Sequence, residues 1–426
     1  MQSNTARKLA QIPGRPLVVG TDPHKRTLGN VMINWQAKVC ARLKIGNTRR
    51  EFEHLVRRAE AERVKAGADS MIFAIEAGSH FWRNLAYYLH EQKIAFRLIS
   101  PYTLKRQREA EDLTKCKNDY RDAMMAAELL LTGKFTETKL LQGDYADLRA
   151  RNQCYRRLRT AHSRLRNQMK ALLDGVFPEF CTEFKNPCGE AAAAVIATCP
   201  IPSMIASQRL TEFITAIRQG YVGRRLAIKK LAALHELAAS SVGIGADAKA
   251  VAGELGLLVE QERVVASQLE RVERELREML HRFDESRYLM SIAGLSELTV
   301  AAIMAEIGPF SSYSDARDLV KLAGVNPMQS ESAGKSQSHT PMSKKGRSGL
   351  RECLWQGAVS MLRSNPEYRE WADKMQNRSA AQHPLHRREV LGAAMNKLLR
   401  LCFALVTKKQ MYRGLETEMT PVAVAA

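Results

Sequence analysis

Short apolar runs, two of which end in an acidic residue, dominate the pattern of the first hundred residues. Pro16–Asp22 and Ser70–Glu76 are almost continuously apolar up to their last residues, which is typical of strands buried on both faces of a sheet. Val31–Trp35 and Lys38–Leu43 follow the first run at short spacing and predict a meander with it, and Ala95–Ile99 predicts a further strand. The sequence therefore predicts five strands in this region.

Helical patterns alternate with the later strands. Thr48 is placed to cap a helix that runs to about Lys65, and Phe81–Gln92 and Asp122–Leu131 have apolar positions at helical spacing. The resulting order, three strands and then helix, strand, helix, strand, helix, suits a mixed α/β sheet with helices on both faces. This is the order of the ribonuclease H-like fold, but it is also close to that of actin-like ATPase domains, so topology leaves both open.

The rest of the chain is predicted to be mostly helical. One long helix covers Tyr145–Leu173, and residues 205–285 form a helical insertion that is broken around Gly243–Gly245. The second half of this insertion has apolar residues at alternating spacings of four and three, as in a coiled-coil seam, namely Val265, Leu269, Val272, Leu276, Met279 and Phe283. The seam could pack inside its own domain or join two copies of the chain.

The C-terminal part combines helices with one long loop. The turn at Gly294 lies between two helical stretches and resembles a helix-hairpin-helix, whose amides can hold a phosphate. A loop rich in glycine, serine and lysine covers Gln329–Gly349, and helices resume at Leu350–Arg363 and Arg387–Val406. The pattern divides the chain into a loose N-terminus (1–15), an α/β domain with the long helix (16–175), a helical linker (176–286), a mostly helical C-terminal domain (287–410) and a loose tail (411–426).

The charge of the chain is strongly positive. Its 426 residues include 65 lysines and arginines against 45 acids, a net charge of +20, while a hydrophobic content of 45% excludes global disorder. Such an excess indicates a polyanionic partner, and nucleic acid is the leading candidate. The long helix carries eight basic residues and no acid between positions 149 and 170: Arg149, Arg151, Arg156, Arg157, Arg159, Arg164, Arg166 and Lys170. A solvated helix face usually mixes charges of both signs, so we interpret this stretch as a nucleic-acid-binding face, with Arg156, Arg157 and Arg164 as contacts.

Nothing in the pattern predicts a membrane span or a secretory signal. The longest uncharged apolar run, Ala191–Ile201, is too short to cross a bilayer. The eight cysteines are scattered without a C-x-x-C pair, which indicates reduced thiols and a cytoplasmic protein. Cys181, Cys188 and Cys199 could together form a metal site, but their spacing matches no common zinc pattern and favours buried thiols.

Four acids stand where they could form a metal site. Asp22 and Glu76 end two predicted strands, and the C-terminal edge of an open α/β sheet is where ligands collect. Asp119 and Asp122 are three residues apart at the start of a helix, which places both on one helix face. Any one of them alone could be a surface charge or a helix cap. Together they would repel one another unless divalent cations bind, and two Mg²⁺ ions about 4 Å apart would suit phosphodiester exchange.

These motifs resemble those of one family of mobile-element proteins. The runs Gly-Thr-Asp22-Pro-His-Lys25, Glu76-Ala and Lys-Asn-Asp119-x-x-Asp122-Ala are similar to the DEDD transposases of the insertion-sequence-110 family, relatives of the Piv DNA invertase. The resemblance continues through the basic helix, the turn at Gly294 and Leu-Ala-Gly-Val-Asn-Pro to the Ser332-Ala-Gly and Ser-Lys-Lys-Gly motifs, and it covers roughly residues 17–405.

The resemblance implies a RuvC-like nuclease core and a C-terminal domain that supplies a nucleophilic serine. Asp22, Glu76, Asp119 and Asp122 would bind the metals, and Ser332, or Ser330 two residues before it, would attack the phosphorus to form a phosphoserine link. Lys25 would contact the scissile phosphate. The DNA backbone near the cut would be held by Lys344, Lys345 and Arg347. The partners implied are donor and target DNA, a noncoding guide RNA and further copies of the chain.

Two other functions fit parts of the sequence. A RuvC-like endonuclease would use the same acids with water as nucleophile and would leave free DNA ends. An actin-like ATPase or sugar kinase also has a metal-binding acid on its first strand, but it needs glycine-rich phosphate loops, whereas Asp22 is followed by Pro-His-Lys. The transposase interpretation explains the acids, the serine motif and the charge together.

Overall fold

The computed structural model describes residues 4–111, 119–136, 140–221, 223, 225–328, 331–332, 335–336, 341–378 and 384–413. The chain folds into two compact units, Met1–Leu140 and Leu141–Ala426, each of which is considered by itself below. The division lies before the long basic helix, which packs with the helices of the second unit, whereas the sequence pattern grouped that helix with the sheet.

The first unit is an α/β domain. Its elements in chain order are α1 (Asn4–Leu9), β1 (Pro16–Pro23), β2 (Thr27–Ile33), β3 (Val39–Gly46), α2 (Arg49–Ala66), β4 (Ser70–Glu76), α3 (Trp82–Glu91), β5 (Phe96–Ile99), α4 (Pro101–Glu111) and α5 (Asp119–Leu131). The five predicted strands are confirmed, and Thr48 caps α2 by accepting a hydrogen bond from the Glu51 amide. Helix α4 was not predicted, because its first residue, Pro101, is also typical of the point where a strand ends. Proline is equally compatible with the first turn of a helix, where its missing N–H has no intrahelical partner to lose.

The five strands form one mixed sheet in the order β3-β2-β1-β4-β5. Strands β1, β2 and β3 pair antiparallel as the predicted meander, and β4 and β5 run parallel to β1. All eight residues of the central strand β1 are buried, which explains its continuous apolar pattern. The mixed α/β sheet expected for the N-terminal region is therefore present.

Helices cover both faces of the sheet. Successive side chains of a strand point to opposite faces, so odd and even positions of β1 and β4 enter different cores. On one face α2 and α3 pack on the sheet, through Leu17, Val19, Phe73 and Ile75 against Phe52, Leu55, Leu85 and Leu89. On the other face α5 packs on the sheet, through Val18, Ile72 and Ala74 against Ala123, Ala126, Ala127 and Leu130.

Helix α5 lies unusually close to β1 because β1 has a glycine at the contact. A Cβ atom at Gly20 would lie 1.9 Å from the carbonyl oxygen of Ala123, well inside any permitted separation. The backbones of the strand and the helix are therefore in direct contact. This contact places the start of α5 beside the C-terminal end of β1.

The described residues of the second unit form helices and one short hairpin. Its elements are α6 (Gly143–Val176), α7 (Phe180–Glu183), α8 (Glu190–Thr198), α9 (Pro202–Ala206), α10 (Leu210–Gly220), α11 (Ile228–Ala239), α12 (Ala248–Leu280), α13 (Ser286–Met290), α14 (Glu297–Ile307), a 3₁₀ turn (Phe310–Ser312), α15 (Ala316–Ala323), β6 (Glu331–Ser332), β7 (Lys335–Ser336), α16 (Ser348–Ser364), α17 (Pro366–Gln376) and α18 (Arg387–Lys408). The predicted break around Gly243–Gly245 is present between α11 and α12.

The second unit has two apolar cores, one around α8 and one around α14 and α18. Two long antiparallel helices, α6 and α12, contribute residues to both. Two polar contacts show this antiparallel direction, because Arg151 Nε lies 2.9 Å from a Glu275 oxygen and His162 Nε2 lies 3.0 Å from a Glu262 oxygen. The predicted coiled-coil seam lies on α12 from Val265 to Met279 and faces inward, and Val272 is only 3% exposed. Phe283 follows the end of α12 and packs against the same core. Of the two alternatives for the seam, the described residues show packing inside the unit.

Helix α18 is the one described helix that is long and apolar enough to cross a membrane by length and composition. Of its apolar stretch, 44% is buried inside the second unit, and Leu398, Leu399 and Cys402 are fully covered. Among the described elements it packs against α13, α15, α16, α17 and the 3₁₀ turn. The buried residues of α18 belong to the apolar core of the second unit.

Candidate active site

The C-terminal ends of β1 and β4 place two acids side by side. The strands are adjacent and parallel, and their register pairs Thr21 with Ile75, so the next residues, Asp22 and Glu76, stand at the same level. Both acids follow the even positions of their strands, which face α5. Their side chains therefore leave the sheet on the same face and at the same edge.

Asp122 joins the two strand acids from the first turn of α5. The close contact of Gly20 with Ala123 holds the start of α5 against β1. Asp122 is the residue before Ala123, so it is held at the same place. One carboxylate oxygen from each of Asp22, Glu76 and Asp122 lies within 4.8 Å of the other two. The fold thus brings together three acids that are separated by more than fifty and by more than forty residues along the chain.

Burial makes this cluster electrostatically strained. Asp22 is 5% and Asp122 is 1% exposed, and Glu76 is half-buried. Burial first, and then the charges of Asp22 and Asp122, raise the pKa of Glu76 to about 7. A hydrogen bond with Asp22 acts in the same direction. Three ionised carboxylates at this separation repel one another, so the cluster favours a bound proton or a cation.

Two basic side chains, neither of them predicted as site residues, contact the cluster. Arg108 of α4 donates a hydrogen bond from Nη2 to Asp122 Oδ1 at 2.6 Å, and His24 Nε2 lies 3.2 Å from Asp22 Oδ2. The position of Arg108 depends on how α4 packs against α5, which no local pattern specifies. His24 could have been suspected, since it follows Asp22 by two residues in a tight turn.

The cluster fits a divalent cation. Within the described part of the chain, no hydrogen-bond donor reaches the second oxygen of Asp122, Oδ2, although that atom is buried. A buried carboxylate oxygen without a donor loses its hydration with nothing in return, and a metal ion would replace it. Carboxylate oxygens from three elements form the hard ligand set that Mg²⁺ and similar ions prefer.

The remaining predicted catalytic residues are described only in their backbones. Asp119 is the first residue of α5, and Ser332 pairs with Lys335 in the β6–β7 hairpin. The side chains of both, and the whole of Ser330, lie outside the described residues. Lys25 is exposed in the turn between β1 and β2.

Arg156, predicted to bind nucleic acid, holds helices of the second unit together. Its guanidinium donates two hydrogen bonds to Glu352 of α16, at 2.6 and 3.0 Å, and lies 3.9 Å from Glu306 of α14. Arg157 and Arg164, by contrast, are exposed on the same helix. The basic residues of α6 therefore differ in their surroundings: Arg149 and Arg156 contact buried Glu306, whereas Arg157 and Arg164 are exposed.

Arg347 is likewise directed inward. Its guanidinium donates to the carbonyl oxygen of Glu306, and burial lowers the pKa of this arginine from its ordinary value. Lys344 and Lys345, three and two residues earlier, are exposed. Arg347 thus anchors this basic loop to α14, whereas the two lysines lie at its surface.

The predicted helical hairpin is present as α13, the turn at Gly294 and α14. Gly294 has a φ of +96°, which favours glycine, and a Cβ there would lie 2.9 Å from Met361 of α16. A cavity of about 110 Å³ adjoins the N-terminus of α14, lined by Asn152, Arg156, Ser296 and neighbouring residues. Asn152 is 1% exposed, and its amide atoms have no hydrogen-bond partner among the described residues.

Comparison with known proteins identifies the family. A model for DEDD transposases of the IS110 type matches residues 19–178, and a model described as transposase IS116/IS110/IS902 family matches residues 286–372. The chain is also 29% identical over 152 residues to the transposase for insertion sequence element IS1328 of Yersinia enterocolitica. That alignment covers 35% of this chain and 43% of the relative. The two family matches include the strands, the acids and the hairpin described above and together span more than half of the sequence, so the chain belongs to the IS110 family of transposases.

Proposed function

We propose that this protein is a DNA recombinase that cuts and rejoins DNA at the carboxylate cluster. The observation that carries the proposal is the convergence of Asp22, Glu76 and Asp122 within 4.8 Å at one edge of the sheet. A metal-binding edge of this kind is suited to phosphodiester chemistry. The strand order β3-β2-β1-β4-β5 supports assignment of the first unit to the ribonuclease H-like, RuvC-like class.

Asp22, Glu76 and Asp122 would hold Mg²⁺, two ions in our proposal, with Asp119, the first residue of α5, as a fourth ligand. When bound, the ions would supply charge neutralisation at the phosphate and would favour loss of the proton from the attacking hydroxyl. Asp122 would coordinate through Oδ2, because Arg108 already occupies Oδ1.

Ser332 is our candidate nucleophile, with Ser330 as the alternative. Its Oγ would bond to the phosphorus while the bond from phosphorus to the leaving deoxyribose oxygen breaks, and that oxygen would take up a proton. The hydroxyl of a new DNA end would then attack the phosphoserine and release the serine hydroxyl. Because the phosphodiester energy is conserved in the covalent link, rejoining needs no ATP.

The substrate in this proposal is duplex DNA, recognised with the help of a noncoding RNA encoded by the element. The net charge of +20 supports a nucleic-acid partner, and exposed Lys25, Arg157, Arg164, Lys344 and Lys345 are the described side chains that we assign to phosphate contacts. Exchange of two duplexes needs at least two active sites, so we propose a homo-oligomer acting in the cytoplasm.

Strand exchange by the purified chain, with Mg²⁺, the flanking noncoding RNA and DNA carrying both element ends, tests the proposal. We expect a covalent protein–DNA adduct that survives denaturation and is lost in S332A, with S330A as the matched control. D22N should retain DNA binding and the fold but form no adduct. Cleavage without an adduct would support the water-dependent endonuclease instead. Full recombination in EDTA would contradict the metal site.

A further inference from the structure

The packed seam between α6 and α12 is interrupted by two polar residues that face each other. On α12, Glu262 precedes Val265 by three residues and so continues the seam of that helix toward its N-terminus. On α6, His162 lies seven residues from both Tyr155 and Met169, two buried positions of the same helix face. A carboxylate buried among apolar neighbours is costly unless a partner stabilises it.

The Glu262 carboxylate is almost completely enclosed, while His162 reaches the surface. The side chains are 8% and 32% exposed, and His162 Nε2 lies 3.0 Å from Glu262 Oε1. One hydrogen bond of this kind would be an ordinary way to satisfy a polar pair in a core. A third side chain at the same point makes the arrangement more specific.

The third side chain is Cys188, which comes from the segment just before α8. Asn186 shapes this turn by accepting a hydrogen bond from the Cys188 amide at 3.3 Å, and α8 packs against α12. The sulfur of Cys188, an oxygen of Glu262 and a ring nitrogen of His162 all lie within 4.8 Å of one another. Three elements that are distant in sequence therefore direct one sulfur, one nitrogen and one oxygen to a common point.

We propose that His162, Cys188 and Glu262 bind a Zn²⁺ ion, with solvent as the fourth ligand. Imidazole, thiolate and carboxylate are the three side-chain ligands that zinc takes in proteins, whereas a thiolate is a poor ligand for Mg²⁺. The partial exposure of His162 gives the ion a route of entry and leaves space for water. The site is separate from the carboxylate cluster, since all three ligands belong to the second unit and the cluster belongs to the first.

Ion binding at this site releases a proton. Burial and the Glu262 charge raise the pKa of the Cys188 thiol to about 11, although Arg166 and Lys170 oppose the shift. The thiol is therefore protonated in the metal-free protein at neutral pH, and coordination as thiolate transfers that proton to solvent. The charges of the thiolate and of the Glu262 carboxylate then balance those of Zn²⁺. The ion would tie together α6, α12 and the segment that leads into α8.

Cobalt is a suitable probe for this site, because Co²⁺ occupies zinc sites and a thiolate bound to it gives a charge-transfer absorption band. The full chain, stripped with EDTA and kept in excess Mg²⁺ to saturate the carboxylate cluster, is titrated with Co²⁺. We expect one equivalent per chain to produce the band and an equivalent of Zn²⁺ to abolish it. C188S should lack the band, whereas C181S, which removes a nearby thiol of similar exposure, should retain it.

A second variant and a second measurement guard against misfolding. H162N keeps the cysteine and should weaken Co²⁺ binding at least tenfold, and circular dichroism of each metal-free variant reports whether it is folded. Zn²⁺ should raise the Tm of the wild type and of C181S but not that of C188S. The absence of a charge-transfer band in the wild type, or its persistence at one equivalent in C188S, would overturn the proposal.

Discussion

Gly20 of β1 lies directly beneath Ala123 of α5, so closely that a Cβ on the glycine would be 1.9 Å from the alanine carbonyl oxygen. Asp22 and Asp122 flank this contact, two residues after the glycine and one residue before the alanine. The distance between the two acids is therefore set by the absence of a single side chain. Any residue larger than glycine must push α5 away from the sheet and open the cluster.

Substitution of Gly20 by alanine should accordingly disturb both stability and the site. We expect G20A to lower the free energy of unfolding by about 3 kcal/mol, because the new methyl group meets backbone atoms that have no rotamer with which to escape. Urea unfolding measures the loss. G253A is the matched control: Gly253 is exposed in α12 with no atom within 4 Å of its Cβ position, and alanine there should stabilise by about 0.5–1 kcal/mol. Equal effects of the two substitutions would contradict the contact.

The raised pKa of Glu76 predicts how stability depends on pH in the absence of metal. The folded protein holds a proton on Glu76 up to about pH 7, whereas the unfolded chain releases it near pH 4.5. Between these values the folded state binds more protons, so this group makes stability fall as pH rises and has no further effect above pH 7. We expect the Tm in EDTA, compared with that of E76Q, to show this decline between pH 4.5 and 7. If the Tm of the wild type minus that of E76Q increased with pH, the pKa of Glu76 would instead be lowered in the folded protein.

Divalent cations should reverse that decline. Mg²⁺ competes with the proton on Glu76, so the rise in Tm on adding Mg²⁺ should be larger at pH 8 than at pH 5.5. A concentration one hundred times the Kd would stabilise the fold by about 2.7 kcal/mol. D22N should be more stable than the wild type in EDTA, since one repelling charge is gone, and should show no Mg²⁺ response. D69N, which changes an exposed acid at the opposite end of β4, should keep the response. Loss of the response in both variants would argue against the site.

Arg108 should act as an internal counter-ion that competes with the metal. Its contact with Asp122 at 2.6 Å places a fixed positive charge beside the proposed ion. Removing one partner of a buried pair costs about 3–5 kcal/mol when the other is left charged, so R108Q should be less stable in EDTA. The same variant should bind Mg²⁺ more tightly, as isothermal titration calorimetry would show. R106Q, on the solvent side of the same helix, should change neither quantity. Weaker Mg²⁺ binding by R108Q would instead mean that Arg108 orients the ligand.

The sequence predicts the strands and their acids well because both follow local rules. The apolar runs that end in Asp22 and Glu76 fix the edge of the sheet where these residues emerge, and the three-residue spacing fixes the helix face of Asp122. The contacts of Arg108 could not be predicted from the sequence, since they depend on the packing of α4 against α5. Cys188 was considered as a metal ligand only together with Cys181 and Cys199. Its meeting with His162 and Glu262 gave no signal, because 26 and 74 residues separate the three and only the tertiary fold brings them together.

The basic helix shows the same limit most clearly. Eight positive charges without an acid predicted one nucleic-acid face, but the acids that pair with Arg156 come from α14 and α16, far along the sequence. The composition of a segment gives its charge, but it does not show which acids from other segments will pair with that charge after folding. The inward and outward arginines of α6 can therefore be separated only by structure and by experiment.

The two kinds of arginine on α6 should respond differently to substitution. R157Q and R164Q remove exposed charges, so each should weaken DNA binding to a similar degree for all sequences and lower the slope of log K against log salt by about 1. R156Q removes the hydrogen-bonded partner of Glu352 and leaves Glu306 with Arg149 alone, at 3.8 Å, so it should lower the Tm and change the salt slope little. Fluorescence anisotropy at several salt concentrations, together with thermal unfolding, separates the two effects. R156Q could instead lower the slope of log K against log salt by about 1 and leave the Tm unchanged. That result would mean that Arg156 contacts the phosphate backbone and that its ion pairs open when DNA binds.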